Sequence, residues 1–372
     1  LVGMAQSVSV HPERCTRMCH KSATCNLCET NCPANAIKVG AVGSNIQVDW
    51  DKCSYCGICV NICPTGVYGI REKSHTSFLN SYVDKISEDH ILNLSCKKID
   101  KTAFAKDTNP PVLMECLGII GLTELLYFYT RGAKEIHLHL PSCRDCVNKY
   151  GKEIIEDVLE ELKKLSEYFE HLQGTEIINS DECIIIKFPV AFEKPASEEA
   201  QKEEAKNNES VSRREMFNLL RKNATDTAVR SAVLLTPQNL PDKTPFRKTK
   251  DVPIKRRLFL DCLTYLGKLL KTEMPVGPYF YNMSITDDCK YCKICTRFCH
   301  SGALSADDEV VGNYTINFNA SMCTSCGMCK VSCYHKYIKS ERTLDMRTLF
   351  DNTVLYKVPV EETSDPESPI ME

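Results

Sequence analysis

Cysteine is the residue type in this chain that could do chemistry, and its spacing says which chemistry. Cys53, Cys56, Cys59 and Cys63 follow C-x2-C-x2-C-x3-C with Pro64 immediately after. Cys289, Cys292, Cys295 and Cys299, then Cys323, Cys326, Cys329 and Cys333, repeat the spacing without the proline. In such a run three thiolates come from one tight loop around a single iron–sulfur cube, and the fourth points at a different cube. Paired runs therefore mean two interlocked clusters. A further copy near the front is altered: Cys25, Cys28, Cys32 and Pro33 match the last three ligands, but Ser22 stands where the first should be. An alternating apolar segment closes on the first Cys of the neighbouring copies, as in Ile46-Gln47-Val48 before Cys53. The equivalent Val8-Ser9-Val10 segment leads to Cys15. Cys15 is the expected first ligand, with Cys19 as a spare or alternative.

The rest of the composition fits that reading. Of 23 Cys in 372 residues, nine lie between Cys15 and Cys63 and eight between Cys289 and Cys333. The length suggests two or three domains, at about 100–200 residues each. A long chain with an odd number of Cys is unlike a secreted disulfide scaffold. Zinc sites usually come as two C-x2-C pairs across a spacer, and three closely spaced Cys suit one tetrahedron poorly. A net charge of −3 gives no general attraction to nucleic acid or membrane. The apolar stretches at 117–129 and 258–270 are broken by Glu124, Asp261 and Lys268 and are shorter than the roughly 20 residues that span a bilayer. With no export signal visible, a soluble, cytoplasmic protein without a membrane span is expected.

These runs resemble bacterial-type two-cluster ferredoxins, once at the front and once at the rear. The resemblance implies crossed ligation. Cys15, Cys25, Cys28 and Cys63 would hold one 4Fe–4S cluster, and Cys53, Cys56, Cys59 and Cys32 a second. Cys289, Cys292, Cys295 and Cys333 would hold a third, and Cys323, Cys326, Cys329 and Cys299 a fourth. His300 and Tyr334 replace the family's proline in the rear copies, so the rear potentials are expected to differ from the front pair.

Between the two ends the pattern changes. Apolar runs at 91–94, 112–114, 136–140 and 184–188 read as strands, and helices are expected near 118–130 and 152–172. The longer helix presents Ile155, Val158, Leu159, Leu162, Leu165, Phe169 and Leu172 on one face. This βαβ pattern predicts a parallel sheet with helical cover. Cys96, Cys116, Cys143 and Cys146 follow the first three strands, at the carboxyl edge where open sheets bind ligands. Four thiols on one crevice suggest a fifth metal site. Cys116-Leu117-Gly118 and Cys143-Arg144-Asp145-Cys146 resemble the delta, iron–sulfur subunit of methyl-viologen-reducing hydrogenases, and four Cys suit a 2Fe–2S cluster. The alternatives are a redox dithiol at Cys143 and Cys146 with Cys96 and Cys116 buried as small apolar residues, a zinc site, or inert thiols. Cys183, ahead of a strand, is expected at the opposite sheet edge, and Cys262 in an apolar helix; both read as structural. His137 and His139 share one strand face and read as packed or solvated.

The fold class expected is α+β and α/β: two dicluster ferredoxin-like modules (1–78 and 257–350) flanking a small α/β domain with a parallel sheet (79–190). An extended linker (191–256) and an acidic tail (351–372) complete the chain. Within the linker, a short helix capped by Ser212 is expected over 211–220. Arg247, Lys248, Lys250, Lys255, Arg256 and Arg257 form a basic patch that reads as a solvated face or a dock for an acidic partner.

The chain has no G-x-G-x-x-G fingerprint, no P-loop and no nucleophile–base constellation, so no catalytic residue is assigned. The leading expectation is an electron-transfer subunit with four 4Fe–4S clusters and a fifth centre, bridging two partners. The hydrogenase resemblance points to subunits of an anaerobe's redox complex: a hydrogenase, a heterodisulfide-reductase-like flavoprotein, or a molybdenum or tungsten oxidoreductase. The alternatives are a disulfide or small-molecule reductase acting through Cys143 and Cys146, and a zinc-bound nucleic-acid module that the charge balance disfavours.

Overall fold

The protein is described by a computed structural model. It covers residues 8–40, 45–70, 74–99, 104, 109–141, 143, 146–180, 182–192, 250–308 and 314–359. The helix expected at 211–220, residues 193–249 of the linker and residues 360–372 of the tail lie outside the described residues, as do Arg144 and Asp145.

The front contains strands β1 (Val8–Val10), β2 (Ile37–Val39), β3 (Ile46–Val48) and β4 (Tyr68–Ile70). Three short helices, α1 (Thr16–Cys19), α2 (Leu27–Thr30) and α3 (Ile58–Ile62), lie between them. First pairs with last, Val8 opposite Ile70, and the inner two form a hairpin, Ile37 opposite Val48. Val8, Ile37, Val39, Ile46, Val60 and Val67 make a small core of their own.

The middle begins with α4 (His75–Val83) and strands β5 (Ile91–Cys96) and β6 (Val112–Met114). A 3-10 turn (Leu117–Ile119) and α5 (Leu122–Thr130) lead to β7 (Glu135–His139), then α6 (Gly151–Ser166), β8 (Glu176–Asn179) and β9 (Cys183–Lys187). The five strands lie in the order β6-β5-β7-β9-β8. β6, β5 and β7 are parallel, but β9 runs antiparallel to both β7 and β8. The sheet is therefore mixed, not parallel as expected. The cause is the three-residue connection from Asn179 to Cys183: a hairpin turns back in so few residues, whereas a parallel return needs a dozen or more. The α6 crossover does bring β8 back parallel to β7, and β9 slots between them. α5 is buried at every position, whereas α6 buries Gly151, Ile154 and the stripe of Ile155, Val158, Leu159, Leu162 and Leu165 and leaves its other face toward solvent. The helix expected to 172 stops at Ser166; Phe169 and Leu172 are buried from the turn beyond it.

The rear repeats the front's plan after a helix, α7 (Ile254–Leu263), and strand β10 (Glu273–Pro275). It comprises β11 (Met283–Ile285), α8 (Ile294–Phe298), β12 (Leu304–Asp307), β13 (Thr315–Asn319), α9 (Met328–Ser332), β14 (Ile338–Ser340), β15 (Thr343–Asp345) and β16 (Asn352–Lys357). β11 pairs with β14 and β12 with β13, as β1 with β4 and β2 with β3. β16 adds to β13, so 352–357 of the expected tail is part of the sheet.

The three parts meet at one buried carboxylate. Glu124, on α5, is wholly buried, with His75 Nε2 at 2.7 Å and Lys255 Nζ at 3.2 Å from Oε1. The Gly121 N–H donates to Oε2 at 2.8 Å, closing the first turn of α5. Lys255 Nζ also donates to the Asn61 carbonyl and to Asn61 Oδ1, both at 3.2 Å. Asn61 Nδ2 donates to the carbonyls of Gly118 and Ile120. Front, middle and rear each supply a residue, and the linker's last residues are not a free connection. Of the expected basic patch, Arg247 and Lys248 lie outside the described residues and Lys250 is exposed, but Lys255 is paired inside and Arg256 is buried, its guanidinium donating to the Ser321 and Ala320 carbonyls.

Burial alone would raise the Glu124 pKa, but Lys255, His75 and the Gly121 amide together hold it down at about 2. Its folded value lies below its ordinary 4.5, so its stabilising contribution is complete above that pH and is lost as pH falls toward about 2. Glu124→Gln leaves Lys255 without its carboxylate and is expected to cost about 3–5 kcal/mol in chemical denaturation at neutral pH. The gap to the native chain should narrow below about pH 4.5; a variant of native stability at neutral pH would refute the junction.

Candidate metal centres

Each complete Cys run follows the same backbone path. Two residues past the first Cys, Tyr55, Tyr291 and Ser325 take φ of 53°, 49° and 55°; four residues past it, Gly57, Lys293 and Gly327 take 76°, 57° and 69°. Left-handed backbone is costly for residues with a Cβ. Its recurrence at two fixed positions in three loops marks a required path. Alternating hands turn successive N–H groups into one concavity, which suits an anionic centre. Three residues past the fourth Cys, Asn35, Gly66, Gly302 and Lys336 are left-handed in all four copies. In the altered first copy neither Thr24 nor Asn26 takes the left-handed path, in keeping with a first ligand brought from elsewhere in the chain.

The thiols gather in fours. Cys15, Cys25, Cys28 and Cys63 line one cavity (the first quartet), which Cys326 of the rear also borders, and Cys32, Cys53, Cys56 and Cys59 line another (the second). Cys289, Cys292, Cys295 and Cys333 stand near enough for their charges to act on one another (the third), as do Cys299, Cys323, Cys326 and Cys329 (the fourth). In the three complete runs the fourth Cys caps a short helix that starts in the other quartet: α3 carries Cys59 and ends at Cys63, α8 carries Cys295 and ends at Cys299, and α9 carries Cys329 and ends at Cys333. Cys19 does not line the first cavity; its Sγ lies 3.6 Å from the Glu13 carbonyl.

Backbone amides point at these sulfurs. Ala36 N–H donates to Cys32 at 3.2 Å, Val67 N–H to Cys63 and Leu304 N–H to Cys299 at 3.4 Å, and Ser325 N–H to Cys323 at 3.5 Å. Such donors favour thiolate, and they tune potential when a cluster is bound. Burial acts the other way, pushing Cys28 up to about 11 and Cys295 and Cys323 up to about 12. Metal ligation must displace these protons. Among the described residues, no three His, Cys, Asp or Glu are gathered as one metal ion would need. Thiols gathered in fours, around a cavity in the first and second quartets and met by backbone amides in the first, second and fourth, fit a cluster, whose bound chemistry is to take up and release single electrons.

The middle quartet sits at the carboxyl edge of the mixed sheet. Cys96 ends β5, Cys116 follows β6, and Cys143 and Cys146 follow β7; together they line a cavity of about 200 Å³. Gly118 N–H donates to Cys116 at 3.4 Å and Asn148 N–H to Cys146 at 3.3 Å. Burial pushes the Cys116 thiol up to about 12, against the Gly118 amide. Gly151 opens α6 beside it, where a Cβ would stand 2.9 Å from Cys116 Sγ. Cys183 was expected at the opposite edge; because β9 runs antiparallel, it pairs with His139 at this same edge, though it does not line the cavity. Cys262 is wholly buried in α7 and accepts from Thr130 Oγ1 at 3.6 Å. His139 stands 3.3 Å from Asn93 Oδ1 and His137 3.0 Å from Glu135, and neither lines the cavity of the middle quartet.

Spacing gave no hint of the residues that join the centres. Ser54, between Cys53 and Cys56, donates to Asn148 Oδ1 at 2.5 Å, and Gly57 packs so closely on Ile119 that a Cβ would come within 2.5 Å of it. Front and rear touch through Arg14 and Asp251, 3.7 Å apart, and through the rings of His20 and Phe298.

The 4Fe–4S binding domain family matches residues 46–68, the segment that carries Cys53, Cys56, Cys59 and Cys63. An uncharacterized ferredoxin of Methanocaldococcus jannaschii is 40% identical over 47 residues, which is 12% of this chain and 73% of that protein. Among the described residues no helix is long and apolar enough to cross a membrane. The chain belongs to the 4Fe–4S ferredoxin family, and with that membership come at least one 4Fe–4S cluster and an electron-transfer role.

Proposed function

We propose that the protein is the electron-transfer subunit of a larger oxidoreductase complex, holding four 4Fe–4S clusters and a 2Fe–2S cluster in its middle domain. The observation that carries this reading is the gathering of twenty Cys into five sets of four, each at one site. Single electrons would pass between a catalytic partner and a second redox protein. The middle domain's likeness to a hydrogenase delta subunit favours a cytoplasmic partner of the hydrogenase, heterodisulfide-reductase-like or molybdenum or tungsten class.

Protein purified without oxygen is expected to carry iron and acid-labile sulfide near 16 of each for the cubes alone, following the ligand count. A colourless preparation rich in zinc would sink the proposal. Cys15→Ala should lose about one cube's worth of iron and sulfide, whereas Cys19→Ala should keep the native content; the reverse result would make Cys19 the ligand. Cys116→Ala should remove a distinct 2Fe–2S signal from the reduced-state EPR spectrum, and an unchanged spectrum would withdraw the fifth cluster. A reductase acting through Cys143 and Cys146 alone would instead turn over a disulfide as the isolated chain.

A further inference from the structure

We infer that the five quartets form one unbranched relay whose order in space is third, fourth, first, second, middle, so that the front module is the relay's centre although it begins the chain. The inference rests on the proposal that the quartets hold clusters and adds where electrons enter and leave.

Each link has its own contact. Inside the rear module, α8 and α9 each start in one quartet and end in the other, joining third to fourth. The link from rear to front is Cys326. This fourth-quartet residue lines the same cavity as Cys15, Cys25, Cys28 and Cys63. Its sulfur lies 3.7 Å from Nδ1 of buried His300, whose Nε2 is 3.3 Å from Thr324. Arg14 with Asp251, and His20 against Phe298, close the flanks of this contact. First and second quartets are joined through α3, as Cys59 begins in one and Cys63 ends in the other. From the second quartet, Ser54 reaches Asn148, whose amide holds Cys146 of the middle quartet. Ile119 packs on Gly57 and Ile58 on Gly118 so closely that neither glycine could carry a side chain at this contact.

The third quartet is the outer end at the rear, and it includes the exposed Cys292. The middle quartet is the other end. Each step moves one electron from a reduced centre to its oxidised neighbour, with no bond made or broken and no proton transferred. A one-electron donor protein is oxidised at one end, and an acceptor protein is reduced at the other.

The test uses the full chain, loaded with iron and sulfide and reduced with dithionite, and reads magnetic coupling between centres by EPR. Cys323→Ala/Cys326→Ala, which removes the fourth centre, should narrow the signal and slow the spin relaxation of the first. Cys289→Ala/Cys292→Ala, which removes the third, should leave the first as it was. A first-centre signal indifferent to loss of the fourth, or equally sensitive to loss of the third, overturns the order. If the double variant sheds more than one cube's iron, the unaltered chain decides: on stepwise reduction, the first centre's signal should broaden in step with reduction of the fourth, and a signal that does not broaden rejects the order. A chain without iron fails the proposed function itself, whereas an iron-replete chain without this coupling fails only the relay.

Discussion

Much of this structure depends on Glu124. A carboxylate with no exposure to solvent is tolerable only if charge and hydrogen bonds replace the lost water, and here His75, Lys255 and the Gly121 amide do so. The partners come from different parts of the chain. Lys255 spends its remaining donors on Asn61, beside Cys59 and Cys63, and Asn61 spends its own on the turn that follows Cys116. One network thus sets the helix of the second quartet against the middle quartet and anchors the helix that enters the rear module. Removing one member strands a buried charge, which fixes the geometry more firmly than apolar contact alone.

That geometry leaves the described end of the expected linker, residues 250–256, bound to the rest of the chain. Asp251, Lys255 and Arg256 hold it there, and the front and rear parts of the chain touch each other. The core is continuous from the middle sheet into the rear module, through Leu258, Phe259 and Leu263 of α7. Electron transfer is steeply sensitive to separation, so a packed assembly serves it better than tethered modules. The rear also differs chemically from the front. His300 stands by Cys326, and the Arg256 guanidinium, lowered to about 10 by burial, lies close enough to Cys323 to be offset by it. Nearby charge and hydrogen bonds to sulfur are two of the levers that set cluster potential.

The Cys runs could be read from sequence because cluster ligation fixes both residue type and spacing, and the structure brings the same fours together. Cys15 could be read by register, from the alternating segment that closes on it. Four strands of the middle sheet could be read because Leu92 and Leu94, Ile136 and Leu138, and Ile184 and Ile186 are fully buried apolar residues at strand period, and Met114 is buried at the end of the fourth run. β8 escaped because Glu176 and Asn179 are exposed and Ile178 is half exposed, as on an edge strand. Strand direction escaped too, since local periodicity carries no sign; the short Asn179–Cys183 turn was the only clue. Lys255 and Arg256 looked solvated because their partners, Glu124 and the Ser321 carbonyl, lie far away in sequence. Ser54 and Asn148 are ordinary polar residues until the fold places them side by side.

The central claim is that one chain stores several electrons in separate one-electron centres, and counting those electrons tests it most directly. In an anaerobic reductive titration of the fully loaded chain, followed optically and by coulometry, the expected uptake is about five electrons per chain, one for each quartet. An uptake of two, as by a single disulfide, or none in a chain filled with zinc, would contradict it.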